Sequence, residues 1–429
     1  MPVPTGARRT TLAAGTALAL ALVLAPAAGA DATAPAGDRG SLVLVGGGLE
    51  ADNTQVFGEI VKRAGGASAR IGVITAASVP ASQDPHAADP ATCGNSECNG
   101  AYYAGLFERH GAADAQWIPV DLDHIANSDS DEVVRQVNSM TGFFFGGGDQ
   151  YRYVTTLLHG SAHTDSKVLA AIRAKLATGA VVAGSSAGAQ IAAGADMVTG
   201  GDSYEGLRDG SSPGYFDDPS RLGYLPAGGF GFLRSGLIDT HTGASGREGR
   251  ALRLAADTGH DRVYALDENT ALVVEAPRTP HERLRVLGPR GVAVMDLRRA
   301  RTGRTSSGAW SLTGARYDYL TDGDRYDPAR RHVLPEAGRR PLAAPAPPVP
   351  ANPDVFHSAA NPAGVPYSFL RTARALAASA TQRTATATTF ENGPRFTVTF
   401  GKDPGPTAWT TDGATARTVT GLRIAVTPE

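Results

Sequence analysis

Ser186 is the residue whose surroundings most clearly indicate chemistry. It stands in the sequence Gly-Ser-Ser-Ala-Gly at 184–188, between a short run of small and β-branched residues at 180–183 and a predicted helix start at 189–193. A G-x-S-x-G nucleophile requires this strand–turn–helix context, because a sharp turn lifts one hydroxyl clear of the sheet and its glycines tolerate the strained backbone. The pattern predicts a nucleophile at Ser186, and a plain glycine–serine turn is the alternative.

A serine nucleophile needs a base, and the base needs a group that orients it. His241 is the best candidate for the base, because it lies after a predicted strand and has Asp239 as a polar neighbour. Glu268 is the preferred orienting carboxylate, since it lies in a polar turn after another strand. That turn could equally be a plain hairpin turn, and Asp202 and Glu205 remain alternatives because they are nearer to the serine in sequence. The order serine, histidine, acid differs from the serine, acid, histidine order of α/β-hydrolases and argues against that superfamily.

Short apolar strands alternate with helices in the first half of the chain. The predicted strands are at 41–45, 69–75, 115–120, 142–145 and 180–183. This alternation is typical of an α/β protein with a largely parallel sheet flanked by helices. Turns at Gly46, Gly146 and Ser186 follow directly on strands. Because the carboxyl ends of parallel strands meet at one edge, we expect these three turns to lie on the same edge of the sheet.

Two β-hairpins are predicted after this core. The first joins strands at 262–266 and 271–274, and the second joins strands at 284–287 and 291–295. Each pair is separated by a short turn, which is the ordinary signature of a hairpin.

The predicted organisation places a catalytic domain at 38–335. A proline-rich segment at 341–366 is typical of a stiff, extended linker outside any core. Residues 367–429 contain a helix-like stretch at 370–378 and strand-like runs, and they hold no candidate nucleophile set. We interpret them as a small C-terminal module or as an edge extension of the main domain.

Residues 1–30 have the pattern of a secretory signal peptide. Arg8 and Arg9 form a twin-arginine start, residues 18–24 are apolar, and small residues at 28–30 form a cleavage site. The twin arginines indicate the Tat route, and the apolar run is too short to span a membrane comfortably. We therefore expect a secreted, extracellular protein without stable membrane insertion, and an uncleaved anchor is the alternative.

Composition and cysteine content limit the partners further. The formal net charge of −2 over 429 residues lacks the basic surplus of a nucleic-acid-binding protein. Cys93 and Cys98 are the two cysteines of the chain, and secretion permits a disulfide between them. Two cysteines without a nearby histidine pair make a poor zinc site. We expect no nucleic-acid partner and a Cys93–Cys98 disulfide, with free thiols as the alternative.

Five sequence blocks resemble one family. They are Phe-Phe-Gly-Gly-Gly-Asp-Gln at 144–150, Gly-Ser-Ser-Ala-Gly-Ala at 184–189, Asp-Thr-His at 239–241, the pair Arg247 and Arg250, and Asp-Glu-Asn-Thr-Ala-Leu at 267–272. In type, order and approximate spacing they are similar to blocks of cyanophycinase and of its relative aspartyl dipeptidase, peptidase E. The resemblance covers residues 41–294.

The resemblance implies a serine-type peptidase on an α/β fold similar to that of class I glutamine amidotransferases, with no metal and no organic cofactor. It assigns Ser186 as the nucleophile, His241 as the base and Glu268 as the third member of the triad. The other implied positions are the oxyanion-hole backbone at Gly147, Gly148 and Ala187, and the substrate-binding or supporting residues Gln150, Asp239, Arg247 and Arg250.

The resemblance also implies a substrate. Cyanophycinase cuts cyanophycin, a poly-aspartate backbone that bears arginine, at β-linked aspartyl units and releases β-Asp-Arg dipeptides. Arg247 and Arg250 agree with an acidic substrate, because planar guanidinium groups bind carboxylates well; a solvated helix face is the alternative. The chain departs from the family's pattern at Thr240, Thr242 and Ser245, close to the expected docking site, so a related aspartyl peptide is the alternative substrate.

The expected partners are a peptide or polymer substrate similar to cyanophycin and a second copy of the chain in a homodimer. Two other functions remain open. One is a non-catalytic homologue that binds acidic peptides through its arginines, and the other, against the order of the triad, is an esterase.

Overall fold

A computed structural model describes residues 40–214, 220–306, 308–342 and 348–429. The predicted signal peptide at 1–30 lies outside the described residues. From residue 40 onward the described residues pack as one unit. Within them, no helix combines the length and the apolar character needed to cross a membrane.

Helices and strands alternate along the first half of the chain, and strands dominate the second. The helices are α1 (Thr54–Arg63), α2 (Ser96–Arg109), α3 (Asp131–Ser139), α4 (Gln150–Leu157), α5 (Lys167–Ala177), α6 (Ala187–Gln190), α7 (Ser203–Asp209), α8 (Glu248–Thr258) and α9 (Ser368–Ala378). The strands are β1 (Ser41–Val45), β2 (Arg70–Ile74), β3 (Asp114–Trp117), β4 (Gly142–Phe145), β5 (Leu158–His159), β6 (Thr164–Asp165), β7 (Val181–Ser185), β8 (Met197–Val198), β9 (Ser211–Pro213), β10 (Leu222–Leu225), β11 (Leu237–Asp239), β12 (Arg262–Leu266), β13 (Ala271–Glu275), β14 (Arg283–Leu287), β15 (Gly291–Asp296), β16 (Arg301–Arg304), β17 (Trp310–Thr321), β18 (Arg325–Asp327), β19 (His332–Leu334), β20 (Arg340–Pro341), β21 (Thr384–Thr388), β22 (Phe396–Lys402), β23 (Ala408–Thr410) and β24 (Thr418–Pro428).

The first sheet has nine strands in the order β19-β18-β14-β13-β1-β7-β4-β2-β3. β1, β7, β4, β2 and β3 pair in parallel, and the strands on the other side of β1 pair antiparallel. The carboxyl ends of the neighbours β1, β7 and β4 therefore share one edge, where Gly46, Ser186 and Gly146 follow them. The sequence prediction of three turns on one edge is confirmed.

Helices cover both faces of the parallel strands. Leu42 and Leu44 of β1 pack in a core shared with α3 and α5, whereas Val43 and Val45 pack in a core shared with α1 and α2. Alternate residues of a strand point to opposite faces, and strands buried on both faces consist of continuous apolar runs. The prediction of an α/β fold is confirmed, although parallel pairing in this sheet is confined to five neighbouring strands.

The second sheet follows the path β11-β12-β15-β17-β24-β22-β21. β11 and β12 pair in parallel, and the other neighbours on this path pair antiparallel. Leu252 of α8 and Leu376 of α9 pack in the core of this sheet. Because β24 pairs with β17, the end of the chain extends the second sheet.

Part of the predicted linker is buried. Val355 and Phe356 lie in the core of the second sheet, whereas the proline-rich composition predicted an extended segment outside any core. Most prolines of the segment precede residue 354. The average composition of 341–366 therefore did not indicate that the apolar pair Val355 and Phe356 could be buried.

The two hairpins predicted after the core are wrong. β12 pairs with β15 in the second sheet, and β13 pairs with β1 and β14 in the first. The turn at 267–270 thus carries the chain from one sheet to the other, and the turn after β14 carries it back to β15. A polar turn between two apolar strands has the same sequence signature whether the strands pair with each other or with distant partners. Here long-range pairing decided the outcome.

Candidate active site

Ser186 lies at the tip of the turn from β7 into α6. Its φ of +54° and ψ of −117° are rare for a residue with a side chain. A Cβ on Gly184 would lie 2.1 Å from the carbonyl oxygen of Gly188, and a Cβ on Gly188 would lie 2.0 Å from the carbonyl oxygen of Phe145. The glycines of the motif are therefore required for the close backbone approach that presents the hydroxyl.

His241 follows β11 and reaches Ser186 across the glycine turn after β1. Its backbone N–H donates to the carbonyl oxygen of Gly46 at 2.7 Å. A Cβ on Gly47 would lie 2.1 Å from Cε1 and 2.3 Å from Nε2 of the imidazole. The lack of a side chain at Gly47 thus leaves the space that the ring occupies.

Ser186, His241 and Glu268 form one hydrogen-bonded chain. Ser186 Oγ lies 2.7 Å from His241 Nε2, and His241 Nδ1 lies 2.8 Å from Glu268 Oε1. Glu268, rather than Asp202 or Glu205, is the carboxylate hydrogen-bonded to His241. The serine comes from the first sheet, whereas the histidine and the glutamate follow β11 and β12, parallel neighbours in the second. The three side chains therefore meet only because the two sheets lie together.

Backbone amide groups surround the serine. A Cβ on Gly147 would lie 3.5 Å from Cβ of Ser186, and Gly148 adopts a φ of +134° against Ala77. Among the described residues, the N–H groups of Gly147 and Gly148 have no hydrogen-bond acceptor. Ala187 is the first residue of α6, where an N–H group has no acceptor within the helix. These donors are available for an oxygen that gains negative charge beside Ser186.

A cavity of about 380 Å³ opens beside Ser186 and His241. Its other lining residues are Gly148, Asp149, Gln150, Ala187, Gln190, Val198, Thr199, Gly200, Thr240, Arg247 and Arg250. The side-chain amide of Gln150 donates to the carbonyl oxygen of Val198 at 3.1 Å, which fixes its orientation at the start of α4.

Arg250 and Asp239 form a buried ion pair. Arg250 Nε and Nη2 donate to the two carboxylate oxygens of Asp239 at 2.9 and 2.6 Å, and Nη1 donates to the carbonyl oxygen of Gly201 at 2.9 Å. Both side chains are almost inaccessible to solvent. The resemblance gave both as substrate-binding or supporting residues; Arg250 lines the cavity, whereas Asp239 does not and instead binds the guanidinium of Arg250. The ion pair therefore stabilises the wall of the cavity from its buried side.

Arg247 differs from Arg250 in its environment. It is half-buried, its Nη1 donates to the carbonyl oxygen of Thr240 at 2.9 Å, and its Nε has no partner among the described residues. Burial, together with the neighbouring positive charge of Arg250, lowers the pKa of Arg247 to about 10. The side chain therefore remains a cation at neutral pH, and it lines the cavity without an ion-pair partner among the described residues.

Two buried acids lie behind the triad. Asp267 accepts from the backbone N–H of Gly243 at 2.9 Å and from the hydroxyl of Tyr319 at 2.6 Å, and burial raises its pKa to about 6. Burial also raises the pKa of Glu248 well above its ordinary value, and its Oε2 has no partner among the described side chains. The histidine side of the site is thus supported by groups whose charge is costly to bury.

The positions that depart from the family's pattern have different environments. Thr240 lines the cavity, Thr242 is buried, and Ser245 is exposed on the turn after His241. Away from the site, Cys93 and Cys98 are joined by a disulfide at the start of α2. Within the described ranges, no three His, Cys, Asp or Glu side chains converge in a way that could hold a metal ion.

Sequence reasoning missed several contributors. Gln190 lies one helical turn after Ser186, so its position in the motif could have indicated it. Thr199 and Gly200 come from the loop after β8, and no local signal marks them. Gly47 is another, because nothing in the local sequence indicates its close contact with His241.

Two sequence comparisons with known proteins agree with the resemblance. The sequence model of Peptidase family S51 matches residues 109–279, a range that contains Ser186, His241 and Glu268. Cyanophycinases of Synechococcus elongatus and of Thermosynechococcus vestitus are each 27% identical to this chain over 297 residues, which is 68% of this chain and 80% of the relative. A solved peptidase from an acI-B1 actinobacterium covers 59% of this chain and 90% of its own, at 20% identity and a TM-score of 0.40.

The family match spans both strand ends that carry the serine and the histidine, and the cyanophycinase match extends over most of the relatives' length. The chain is thus similar to Peptidase family S51 across the candidate site and to cyanophycinases over most of their length, and these similarities support a serine-type peptidase.

Proposed function

We propose that this protein is a secreted peptidase that hydrolyses β-linked aspartyl peptide bonds, in cyanophycin or a related aspartyl peptide, through an acyl-enzyme on Ser186. The observation that carries the proposal is the chain of hydrogen bonds from Ser186 Oγ through His241 to Glu268, with distances of 2.7 and 2.8 Å. The parallel strands that end at this site support the further proposal of a fold similar to class I glutamine amidotransferases.

The hydrogen bonds define a route for the proton. Glu268 accepts from Nδ1–H of His241, so Nε2 of the neutral ring is free to take the proton of the Ser186 hydroxyl. Ser186 Oγ attacks the carbonyl carbon, and the N–H groups of Gly147, Gly148 and Ala187 stabilise the oxyanion. His241 then gives the proton to the leaving amine. A water molecule, deprotonated by His241, finally hydrolyses the acyl-enzyme and restores the serine.

The cavity fits an acidic substrate. Arg247 is a cation that lines the cavity beside Ser186 and His241, and the side-chain amide of Gln150 lines it from the start of α4. A guanidinium binds a carboxylate through two parallel hydrogen bonds. We therefore assign Arg247 to the free carboxylate of a β-linked aspartyl unit, while Arg250 supports the wall through Asp239.

Secretion belongs to the same proposal. The signal-peptide pattern at 1–30 and the Cys93–Cys98 disulfide support an extracellular location, because disulfides persist in oxidising compartments. An external peptidase of this kind would act on polymer released by other cells. The homodimer remains a prediction of the sequence.

Replacing the nucleophile tests the reaction. We expect Ser186→Ala to lower the rate of hydrolysis of β-aspartyl-arginine and of insoluble cyanophycin by a factor on the order of a thousand or more. Ser139→Ala is the matched control, because Ser139 is exposed at the end of α3 and does not line the cavity beside Ser186. The α-linked isomer of the dipeptide measures the preference for β-linkage.

Equal rates for Ser186→Ala and the parent protein would refute the acyl-enzyme. Tight binding of acidic peptides without turnover or phosphonate labelling would indicate a binding protein instead. Faster cleavage of the α-linked dipeptide would leave the serine chemistry intact and refute the proposed substrate.

A further inference from the structure

Residues 354–367, which we call the strap, lie against the turn at 241–247 that connects His241 to Arg247. The strap leads into α9 and lies outside the 109–279 range matched by the family model. The turn carries the proposed base at one end and the proposed substrate cation at the other. Contacts from the strap therefore act on both functional side chains through their backbone.

Two hydrogen bonds join the strap to successive carbonyl groups of the turn. The backbone N–H of Tyr367 donates to the carbonyl oxygen of Gly243 at 2.6 Å, and Nδ1 of His357 donates to the carbonyl oxygen of Ala244 at 3.1 Å. The ring of Tyr367 covers Gly243 so closely that a Cβ there would lie 2.2 Å from its Cδ1. The middle of the turn is thus held by the strap.

A third contact closes the far end of the turn. Gly246 has a φ of +60°, and a Cβ on it would lie 1.6 Å from the carbonyl oxygen of Phe356. Only glycine permits this approach in this conformation. The strap therefore touches the turn at Gly243, Ala244 and Gly246, immediately before Arg247.

The other side of the turn is fixed by the active-site elements. Asp267, the neighbour of Glu268, accepts from the N–H of Gly243 at 2.9 Å. Gly243 consequently has its N–H bound by the Glu268 turn and its carbonyl bound by Tyr367. Displacement of the strap would free one side of the segment that sets the position of His241.

The strap is itself well anchored. The guanidinium of Arg290 lies 4.4 Å from the ring centre of Tyr367, and the ring of Phe356 stacks on that of Phe369 at 6.1 Å. Tyr367 is held at a φ of +61°, a strained value for a tyrosine. Such strain persists where the surrounding contacts determine the conformation.

We infer that Tyr367 and His357 are positioning residues for the peptidase reaction. They hold the 241–247 turn so that His241 stays within proton-transfer distance of Ser186 and Arg247 faces the cavity. The inference rests on the proposed function. It gives the C-terminal part of the chain a role in catalysis, although it contributes no reacting group.

The opposite face of the strap supplies a control. Ala360 and Val365 of the strap line a separate cavity of about 850 Å³, together with Phe390, which is 39% exposed. Phe390→Ala removes a large side chain from the same C-terminal region without touching the turn. Any general effect of disturbing this region should appear in that variant as well.

The test compares Tyr367→Ala, Tyr367→Phe, His357→Ala and Phe390→Ala in the purified full-length protein. We expect Tyr367→Ala to lower kcat by about tenfold or more, because small displacements of reacting groups are costly, and to speed hydrogen–deuterium exchange within 241–247. His357→Ala should have the same effects to a smaller degree. Tyr367→Phe keeps the ring and the backbone hydrogen bond, so its kcat and exchange should match the parent's.

Two results would overturn the inference. One is unchanged exchange of the 241–247 turn in Tyr367→Ala. The other is a loss of kcat that Phe390→Ala reproduces at an equal change in Tm, which would indicate a general structural role. If the parent itself fails to hydrolyse β-aspartyl peptides and to react with a phosphonate, the proposed function is wrong, and exchange still decides whether the strap holds the turn.

Discussion

The two sides of the active site are built in different ways. On the serine side, neighbouring parallel strands end in glycine-rich turns, and the surroundings are apolar side chains and backbone. On the histidine side, the support consists of buried ionisable groups, among them the Asp239–Arg250 pair and Asp267, and of the strap. The position of Ser186 therefore depends on backbone geometry and apolar packing, whereas the position of His241 depends largely on buried charged groups and on contacts from distant parts of the chain.

The largest effect is expected from breaking the buried pair on the histidine side. Arg250→Met should lower the free energy of unfolding by about 3–5 kcal/mol, because it leaves the carboxylate of Asp239 buried without a counter-charge. Urea denaturation at neutral pH measures it. Arg247→Met is the control: it should change stability little and raise KM, since Arg247 lines the cavity and has no ion-pair partner among the described residues. A loss in Arg250→Met no greater than in Arg247→Met would remove the distinction between the two arginines.

A smaller effect is expected from a side chain at Gly47, which lies on the serine side in contact with the ring of His241. Gly47→Ala should lower kcat by about a hundredfold, because its Cβ would collide with the His241 ring and move it away from Ser186. Steady-state kinetics on a β-aspartyl peptide measures this. The same substitution at Gly58, where a Cβ meets nothing within 4 Å, should leave kcat unchanged. Comparable kcat for both alanine variants would show that the ring does not depend on Gly47.

The smallest effect concerns pH. Burial raises the pKa of Asp267 to about 6 in the folded protein, above its value of about 3.9 in an unfolded chain. Protonated Asp267 therefore favours the folded state fully below about pH 4, and this contribution is lost as the pH rises through 6. Between pH 5 and 8 the parent should lose about 1.4 kcal/mol of unfolding free energy through this group.

Asp267→Asn should remove that part of the pH dependence, because an amide does not titrate in this range. Urea denaturation of both proteins at pH 5 and pH 8 gives the comparison. If the change in unfolding free energy between pH 5 and pH 8 is the same in variant and parent, Asp267 is ionised in the folded state over this whole range. Its burial would then not contribute to the pH dependence of stability.

The serine side was predicted almost completely from the sequence. The apolar runs that form β1, β4 and β7, and the glycines after them, can be recognised locally in the sequence. Once these strands are taken as parallel neighbours, the turns after them must lie at one edge of the sheet. The residues alone indicated Ser186 and His241 and left Asp202 and Glu205 as alternatives to Glu268, and the family resemblance assigned the full triad. The pairing of β12 and β13 was predicted wrongly, because the turn that holds Glu268 has the sequence of a hairpin turn but joins two sheets.

The sequence by itself predicted which residues would carry the proposed chemistry, since a nucleophile, a base and an acid must be particular side chains in particular local settings. Only the tertiary structure decided how they are held: Arg250 forms an ion pair with Asp239, Arg247 lines the cavity without such a partner among the described residues, and Tyr367 contacts the turn after His241. Burial and ion pairing depend on what surrounds a group from every direction. Residues more than a hundred positions apart supply those surroundings, so no local pattern contains them.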